Sequence, residues 1–223
     1  NTLALSGKFT DVETLFSAKY FLQSLESNYF DCRYDNVQFI ENQRASYLFN
    51  SSIQEIDNAE AILLIGTNPR WEASVLNARI RKAYINNNCK IGLIGKKIDA
   101  TYKYTHLSDN IDHINDLLNN KSPFSKELEN SKKSLIIIGN SAINYSDGKE
   151  VLNISSEIAK KYNISNNNFN GFNILQQDIS KVGAIDIGFY NKNFAQNFDQ
   201  NIKKHIEKFK PVVFLLASDE INL

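Results

Sequence analysis

The feature of this sequence that most limits its fold is a strand, a turn, a helix and a second strand in succession. The run AILLIG at 61–66 has no charged or amide side chain, and a second run, KIGLIG, follows at 90–95. Strands with such a composition are usually buried on both faces, as in parallel sheets. A helix that joins two parallel strands forms a βαβ unit with a right-handed crossover. The sequence therefore predicts an α/β fold built on a mostly parallel, doubly wound sheet.

The segment TNPRWEASVLNARIRKAY between these strands predicts one helix. Thr67 and Asn68 can cap its start, and Pro69 suits a first turn, where its missing N–H is not needed. Apolar residues recur at helical spacing and form one stripe, at Ala73, Leu76, Ile80 and Ala83.

The same alternation recurs at the amino-terminal end of the chain. TLALSG predicts a first strand that ends at Gly7, and Thr10 with Glu13 has the spacing of a capping box before a helix. The apolar side of that helix is predicted to carry Val12, Leu15, Phe16 and Leu22. The stretch from 26 to 45 is irregular and rich in aromatic residues.

Three further helices and two strands are predicted after residue 100. Ser108 is placed as the cap of a helix that carries Ile111, Ile114 and Leu118, and SLIIIG supplies the next strand. Ser146 precedes a helix whose apolar face is Val151, Ile154, Ile158 and Tyr162. The asparagine-rich tract 163–173 favours a loop, because asparagine and glycine favour turns. The last helix is predicted at 196–209, and Pro211 ends it before the strand VVFLLAS.

We expect one α/β region over residues 1–223. Its parts are a leading strand, helix and irregular excursion at 1–50, core βαβ units at 51–146, and the last helices and strand at 147–223. The final strand is apolar where a doubly wound fold would ordinarily continue, so we expect the fold to be incomplete at its carboxyl end and the strand to need cover from elsewhere. Methionine is absent even at position 1, which indicates a chain that begins inside a longer product or has lost its initiator.

Composition excludes several classes of function. Twenty-five basic and 25 acidic residues give a formal net charge of zero, which removes the electrostatic case for a nucleic-acid partner. The longest apolar runs are far shorter than the roughly 20 residues of a spanning helix, so no direct membrane insertion is expected. Cys32 and Cys89 stand far apart and predict buried free thiols rather than a disulfide or a metal site. His106 and His113 are interpreted as surface residues.

Small polar residues follow glycine at several strand ends, namely IGTNPRW, IGKKIDATY and IGNSAINYSDG. In open α/β sheets, ligands bind outside the carboxyl ends of the strands, and such turns can hold a phosphate. The same residues also serve as ordinary caps and tight turns, and no complete phosphate-binding motif is present. Ser141 and Ser218 follow strands without the surrounding glycines of a hydrolase nucleophile.

The segment AEAILLIGTNPRWEASVLNARIRKAYINNNCKIGLIGKKIDATYKYTHLSD resembles the signature region of the large iron–sulfur subunit of respiratory complex I. The family's IGTNPR and NARIRK runs and its D-TY-Y-HL turn are matched by Gly66, Thr67, Asn68, Pro69, Arg70, Glu72, Asn77, Ala78, Arg79, Ile80, Arg81, Lys82, Asp99, Thr101, Tyr102, Tyr104, His106 and Leu107. Weaker similarity covers nearly all of the remaining chain, with gaps in the loops.

The resemblance implies the fold of the molybdopterin oxidoreductases. In active members a turn like Gly66–Thr67–Asn68–Pro69 helps to hold the pterin dinucleotide, and an acidic residue after the next strand reaches its guanine end. Here Gly95 and Lys96 stand where that acidic residue is expected. A missing acceptor for two guanine donors weakens recognition strongly. The turn is therefore interpreted as a vestigial site, with no catalytic residue, no metal and no cofactor in this chain.

The resemblance also implies a partner. The family's amino-terminal half carries iron–sulfur clusters on many cysteines, whereas this chain has two. Iron–sulfur clusters and FMN are therefore expected in partner chains, with the cluster-bearing half and other matrix-arm subunits as neighbours. Heavy use of Asn, Lys, Ile, Phe and Tyr indicates an AT-rich genome and, with the resemblance, a mitochondrially encoded protein on the matrix side of the inner membrane. The resemblance thus implies a non-catalytic structural and docking module of the complex I matrix arm, which supports the cluster-bearing half of the same subunit. The competing hypotheses are a fragment of an active molybdopterin oxidoreductase with a pterin-dinucleotide site and, more weakly, a free nucleotide-binding module.

The basic residues of the NARIRK run have two interpretations. A helical wheel places Arg79 and Arg81 beside the apolar stripe and Lys82 opposite it. Their stems can cover the edge of the core, or their charges can form ion pairs within or between subunits. Arg70 belongs to the same signature, and Asn77 is expected to bond neighbouring backbone.

Overall fold

A computed structural model describes residues 2–166, 169–194, 198–219 and 221. The chain divides into two compact units, one formed by Asn1–Gln38 with Gln176–Leu223 and the other by Phe39–Leu175. The first unit therefore combines the two ends of the sequence, because residues after 175 return to the first strand. In the described part of the chain, no helix is long and apolar enough to cross a membrane.

The strands are β1 (Thr2–Ser6), β2 (Phe30–Asp31), β3 (Ala61–Ile65), β4 (Lys90–Ile94), β5 (Thr105–Ser108), β6 (Ser134–Gly139), β7 (Ser165–Asn166), β8 (Phe169–Asn170), β9 (Phe172–Leu175) and β10 (Val212–Leu216). The α-helices are α1 (Val12–Ser24), α2 (Pro69–Glu72), α3 (Ser74–Asn87), α4 (Ile114–Leu118), α5 (Ser125–Asn130), α6 (Asn140–Ile143), α7 (Gly148–Lys161), α8 (Lys181–Asp186) and α9 (Phe198–Phe209). Short 3-10 turns lie at Arg44–Ser46, Glu55–Asn58, Ile111–His113 and Lys192–Phe194.

The second unit is built on a parallel sheet with strand order β5-β4-β3-β6-β9. The prediction of an α/β fold with a mostly parallel sheet is confirmed. β3 lies at the centre and is buried at every position, as its unbroken apolar run predicted. The chain adds β4 and β5 on one side of β3 and then places β6 and β9 on the other. The strand order thus reverses between β3 and β6, which is where ligands bind in folds of this class.

The helix predicted after β3 is in fact two helices. Leu76, Ile80 and Ala83 are buried as the stripe predicted, but Ala73 has φ −153° and ψ 75°, so α2 ends there and α3 begins. The apolar spacing continues across the break, so periodicity alone could not reveal it. Asn88, in the left-handed region at φ 52°, follows the last turn of α3.

The predictions around residues 105–120 need correction. Ser108 is the last residue of β5 and not a helix cap, because Thr105–Ser108 pairs with β4. Asn110 is the cap, and its side chain accepts from the amide of Asp112. The sequence placed Leu118 on the apolar face of this helix, but the fully buried residue is Leu117. The next predicted helix is α7, in which Val151 and Ile158 are buried and Ile154 is half-buried. Tyr162, which directly follows its last residue, is also buried.

The asparagine-rich tract 163–173 was predicted to be a loop, and this was wrong. β7 and β8 pair antiparallel, and β9 joins the central sheet beside β6. Asn173 is fully buried in β9, where its side-chain oxygen accepts from the Ser51 amide and its nitrogen donates to the Ser51 hydroxyl. Because a polar residue with satisfied hydrogen bonds fills a core position, the apolar pattern of a strand is hidden. Residues 167 and 168 lie outside the described part of the tract.

The first unit contains a smaller parallel sheet with order β10-β1-β2. Its helix α1 is capped by Asp11, which accepts from the Thr14 amide, and not by Thr10 as predicted. The Thr10 hydroxyl instead donates to backbone carbonyls, those of Gly7 and Leu216. Leu15 and Leu22 are buried, whereas Val12 and Phe16 are exposed. Only part of the predicted apolar face of α1 therefore faces the core.

The last helix and strand of the chain belong to this unit. α9 agrees with the predicted helix at 196–209 from Phe198 onward, and residues 195–197 lie outside the described range. Its inner face contributes Phe198 and Ile202 to a cluster with Leu3 and Leu5. β10 is an edge strand, and Val212 is 62% exposed, in agreement with the expectation that this apolar strand needs cover from elsewhere.

Candidate functional site: the cleft at the strand ends

The residues that follow β3, β4 and β6 line a cleft of about 460 Å³ in the second unit. It lies at the point where the strand order of the central sheet reverses, so the position is the one at which a ligand is expected. Its lining comes from the turns after these strands and the start of the segment after β5: Gly66, Thr67, Asn68, Glu72, Leu93, Gly95, Lys96, Lys97, Ile98, Asp109, Asn110, Ile111, Ser141 and Tyr145.

The turn Gly66–Pro69 is packed directly against the turn after β6. A Cβ added to Gly66, which has φ +54°, would lie 2.7 Å from the Cβ of Ala142. A Cβ added to Gly139 would lie 2.5 Å from the carbonyl oxygen of Gly66. The Ser141 hydroxyl also donates to that carbonyl. The two glycines therefore allow close approach of the protein's own backbone, as does the left-handed conformation of Gly66.

Two hydrogen-bond donors of this turn, the Thr67 hydroxyl and the Asn68 backbone amide, are bound by Glu72. The Thr67 hydroxyl donates to its Oε2 at 2.6 Å, and the Asn68 amide donates to its Oε1 at 2.9 Å. Thr67 and Asn68 were predicted to cap the helix with their own side chains, but neither does so. The carboxylate at the end of α2 reaches back instead, because it can accept from both donors at once and stabilise the first turn.

A pterin dinucleotide, the group that the resemblance implies for active members of the family, places two requirements on this turn. A dinucleotide carries phosphates, which need unoccupied donors and a site free of negative charge. Here Thr67 and Asn68 already donate to Glu72, whose carboxylate would repel a phosphate at the same turn. After β4, Gly95 and Lys96 supply no carboxylate for a guanine edge. The residues present do not fit the group.

The basic residues of the signature helix α3 bind other parts of the same unit. Arg79 and Lys82 each lie 2.7 Å from Oδ2 of Asp57, in the turn before β3. The hydrogen bond from Lys82 is the main reason that the pKa of Asp57 is held below its ordinary value, and Arg79 adds to the effect. Lys82 was placed opposite the apolar stripe and is exposed, but its amine reaches back to the same carboxylate as Arg79.

Three further signature residues contact the turn after β4. Arg81 donates to the carbonyl of Thr101, and Asn77 donates to the hydroxyl of Thr101 at 3.2 Å. Arg70 forms an ion pair with Asp99 and also donates to its carbonyl at 3.1 Å. Asn77 was expected to bond backbone, but its nitrogen bonds a side-chain hydroxyl. The NARIRK run and the D-TY turn are therefore in contact in the structure, through Asn77 and Arg81 on one side and Thr101 on the other.

The remaining candidate residues are the histidines and the cysteines. In the described part of the chain, no group of three or more His, Cys, Asp or Glu side chains is placed to hold a metal ion. His106 was expected at the surface but is half-buried, with its Nε2 2.9 Å from the Gly95 carbonyl oxygen. Cys32 and Cys89 are free and buried, as predicted, and burial raises the pKa of each thiol to about 12. A thiolate is therefore scarce at neutral pH.

Sequence reasoning missed the partners that explain the signature, namely Glu72 and Asp57. Glu72 stands four residues after Asn68 and three after a proline at the first helical position, a spacing close to that of a capping box. That signal was present in the sequence. No such signal marks Asp57 in the sequence, since its partners Arg79 and Lys82 lie 22 and 25 residues away along the chain.

Known proteins resemble this chain over nearly its whole length. It is 31% identical over 221 residues to NADH dehydrogenase [ubiquinone] iron-sulfur protein 1, mitochondrial, of Solanum tuberosum, covering 99% of this chain and 29% of that protein. It is 36% identical over 218 residues to a NADH-quinone oxidoreductase subunit of Rickettsia bellii, covering 98% and 30%. It is 32% identical over 232 residues to the 75 kDa subunit of NADH-ubiquinone oxidoreductase of Reclinomonas americana, covering 97% and 33%. The chain therefore spans about a third of the length of these relatives.

The fold also occurs among solved structures. A chain of the formyltransferase/hydrolase complex of Methylorubrum extorquens, crystallised with methylofuran, matches with a TM-score of 0.52 at 12% identity. The match covers 96% of this chain and 59% of that one, and it supports the fold alone. The family model for molybdopterin oxidoreductases matches residues 1–223. Since that match extends over the full sequence, this chain belongs to the molybdopterin oxidoreductase family.

Proposed function

We propose that this chain is a non-catalytic structural and docking module of the matrix arm of respiratory complex I, which transfers electrons from NADH to ubiquinone. The named relatives are parts of enzymes that oxidise NADH with ubiquinone or quinone, and each matches nearly all of this chain. The module supports the cluster-bearing half of the same subunit and carries no active site of its own.

The observation that carries the non-catalytic part of the proposal is the position of Glu72. Its carboxylate accepts from Thr67 and Asn68, the donors that a pterin dinucleotide would need at this turn. A charged side chain held in two such hydrogen bonds is costly to displace. The signature residues support the same conclusion, because Arg79 and Lys82 bind Asp57 within the unit and are not directed to a substrate.

The proposal assigns the redox groups to partner chains. Cys32 and Cys89 are buried thiols with raised pKa values, which does not favour them as ligands of an iron–sulfur cluster. Iron–sulfur clusters and FMN then reside in the cluster-bearing half and in other matrix-arm subunits. If the subunit is made as two polypeptides, the cluster-bearing half is a separate chain from this one. We place the chain in the mitochondrion, on the matrix side of the inner membrane, without insertion into the membrane and without a nucleic-acid partner.

Native electrophoresis of gently solubilised mitochondria, followed by mass spectrometry of the bands, tests this proposal. We expect peptides of this chain in a large band that oxidises NADH and contains a cysteine-rich polypeptide and FMN. Migration only in small species without NADH oxidation would contradict it.

One observation favours a second candidate, a fragment of an active molybdopterin oxidoreductase. The cleft at the strand ends has room for a ligand, and two cations, Lys96 and Lys97, line it together with the carboxylates Glu72 and Asp109. Molybdenum and a pterin in stoichiometric amount with the purified chain would support that candidate and overturn the first.

A further inference from the structure

The segment 95–104, which follows β4, is held rigidly by its own unit. The Gly95 amide donates to the Ser108 carbonyl at 2.8 Å. The hydroxyl of Tyr104 accepts from the Ile98 amide at 3.0 Å and donates to the Ile98 carbonyl at 2.8 Å. Side chains on this segment are therefore presented from a fixed backbone, and little loop entropy is lost when a partner binds.

Of the two arginines that contact this segment from the neighbouring helices, one adds positive charge to it. Arg70 pairs with Asp99, whereas Arg81 binds the neutral carbonyl of Thr101. The charge of Arg70 is balanced by its partner, and the contact with Thr101 leaves the charge of Arg81 unbalanced.

Three lysines project from the same segment: Lys96, Lys97 and Lys103. All three are exposed, and none has a hydrogen bond or ion pair with the part of the chain that the structure describes. The whole chain has a formal net charge of zero, so this cluster is a local concentration and not a general property of the surface. We call these three lysines together with Trp71 the basic surface.

Trp71 gives the basic surface an apolar anchor. It is the only tryptophan of the chain, and it is 80% exposed beside Arg70 on α2. Its chain neighbours contact the same region: Arg70 pairs with Asp99 of the segment 95–104, and Glu72 lines the cleft together with Lys96 and Lys97. Tryptophan and arginine are among the residue types that most often dominate binding energy at protein interfaces.

We propose that the basic surface docks an acidic segment of another polypeptide of the same assembly. Aspartate or glutamate side chains of that segment pair with the lysines, and an apolar side chain covers Trp71. The inference rests on the proposed function, because it requires an assembly in which this chain is a subunit. A protein partner is favoured over a nucleic acid because the exposed indole of Trp71 suits contacts with apolar side chains, and the lysine charge is confined to one loop.

Zero-length crosslinking with a carbodiimide tests the proposal on the native assembly. This reagent joins a lysine amine directly to a carboxylate in ion-pair contact. We expect Lys96, Lys97 or Lys103 to be joined to an aspartate or glutamate of another polypeptide. Lys126 and Lys149 are the matched controls, because they are exposed lysines of the same unit with no hydrogen bond or ion pair to the described residues. Crosslinks from the control lysines alone would overturn the proposal.

Charge reversal gives a second test. A Lys96→Glu, Lys97→Glu double variant is compared with a Lys126→Glu, Lys149→Glu variant, each expressed in place of the natural chain. Like charges opposed at an interface are strongly unfavourable, so we expect the first variant to assemble at least about tenfold less and the second to assemble normally. Circular dichroism and thermal unfolding of each purified chain show whether the variants fold equally.

The outcomes separate the two proposals. If the natural chain is absent from the NADH-oxidising assembly, the proposed function itself fails. If it is present and the first variant assembles as well as the control variant, only the docking proposal is overturned. Release of the natural chain by nuclease treatment would identify a nucleic-acid partner and would also overturn it.

Discussion

Replacement of Glu72 by alanine should loosen the turn between β3 and α2. The carboxylate accepts two hydrogen bonds, at 2.6 Å from the Thr67 hydroxyl and at 2.9 Å from the Asn68 amide. Thr67 is only 4% exposed, so its hydroxyl cannot turn freely to water. A hydrogen bond to a charged group contributes about 1.5–3 kcal/mol, and loss of a helix cap costs about 0.5–2 kcal/mol. Because water can replace part of the Asn68 bond, we expect Glu72→Ala to lower the free energy of unfolding by about 2–4 kcal/mol.

Glu72→Gln should have about half that effect, because one amide oxygen can still accept while the NH2 group faces the other donor. The matched control is Glu129→Ala, an exposed residue of α5, which should change stability by no more than about 0.5 kcal/mol. Urea unfolding followed by circular dichroism measures the free energy. Since the chain has two compact units, hydrogen exchange in peptides covering residues 66–72 separates the effect in the second unit.

Faster exchange at the turn and a lower urea midpoint in Glu72→Ala are the expected results. If Glu72→Ala behaves like Glu129→Ala in both measurements, the carboxylate does not hold the turn. The hydrogen bonds from Thr67 and Asn68 to Glu72 would then not be what keeps a phosphate from this turn.

Three further predictions concern the buried and paired groups of the chain. Asp57→Ala should destabilise the second unit by about 1–2 kcal/mol at pH 7, since it removes the shared anion of the signature helix. The hydrogen bond from Lys82 lowers the pKa of Asp57 in the folded chain. The contribution of Asp57 to the free energy of unfolding is therefore present above pH 3.8 and is lost as the pH falls through the lowered pKa. The urea midpoints of the natural chain and of Asp57→Ala should converge in acid. Burial lowers the pKa of His205 from 6.5, so the unfolded chain binds this proton more readily, and the natural chain should lose stability as the pH falls below about 6.5. His205→Phe should show a flatter pH dependence in the same urea titration, and an unchanged slope would contradict the assignment. Cys32 and Cys89, with pKa values raised to about 12, should resist iodoacetamide at pH 8 in the folded chain and react quickly in urea, as mass spectrometry would show.

The sequence could predict those parts of the fold in which burial alone determines which residue types are allowed. β3 and β4 were predicted correctly because a central parallel strand is buried on both faces and admits few polar side chains. The stripe of α3 was predicted for the same reason, since Leu76 and Ile80 face the sheet. Strong burial produces a readable pattern.

The parts that could not be predicted depend on specific side-chain pairs. β9 was missed because Asn173 fills a buried position and is satisfied by Ser51, which is far away in the sequence. α1 was given the wrong cap because Thr10 and Asp11 are both good caps, and the choice depends on the Leu216 carbonyl that Thr10 binds. Tertiary partners decide such cases, and a single sequence does not reveal them.

The candidate site shows the same division. Its location followed from the strand ends and the GTNP turn, because parallel strands with reversed order create a cleft there. The occupancy of the turn did not follow, since the role of Glu72 depends on a helix that ends at Ala73. The interpretation of the turn as vestigial rested on Gly95 and Lys96 and stays a prediction, to which the hydrogen bonds of Glu72 add a second argument.

Elemental analysis of the native assembly that contains this chain is the decisive test of a module without its own cofactor. Iron, molybdenum and FMN are quantified against the amount of the chain by mass spectrometry with isotope-labelled peptides. From the proposed partner chains we expect many iron atoms and FMN in the assembly. Because Glu72 binds donors of Thr67 and Asn68, we expect no stoichiometric molybdenum attributable to this chain. One molybdenum per chain, with a pterin released on denaturation, would contradict this expectation and show that the cleft holds a working cofactor.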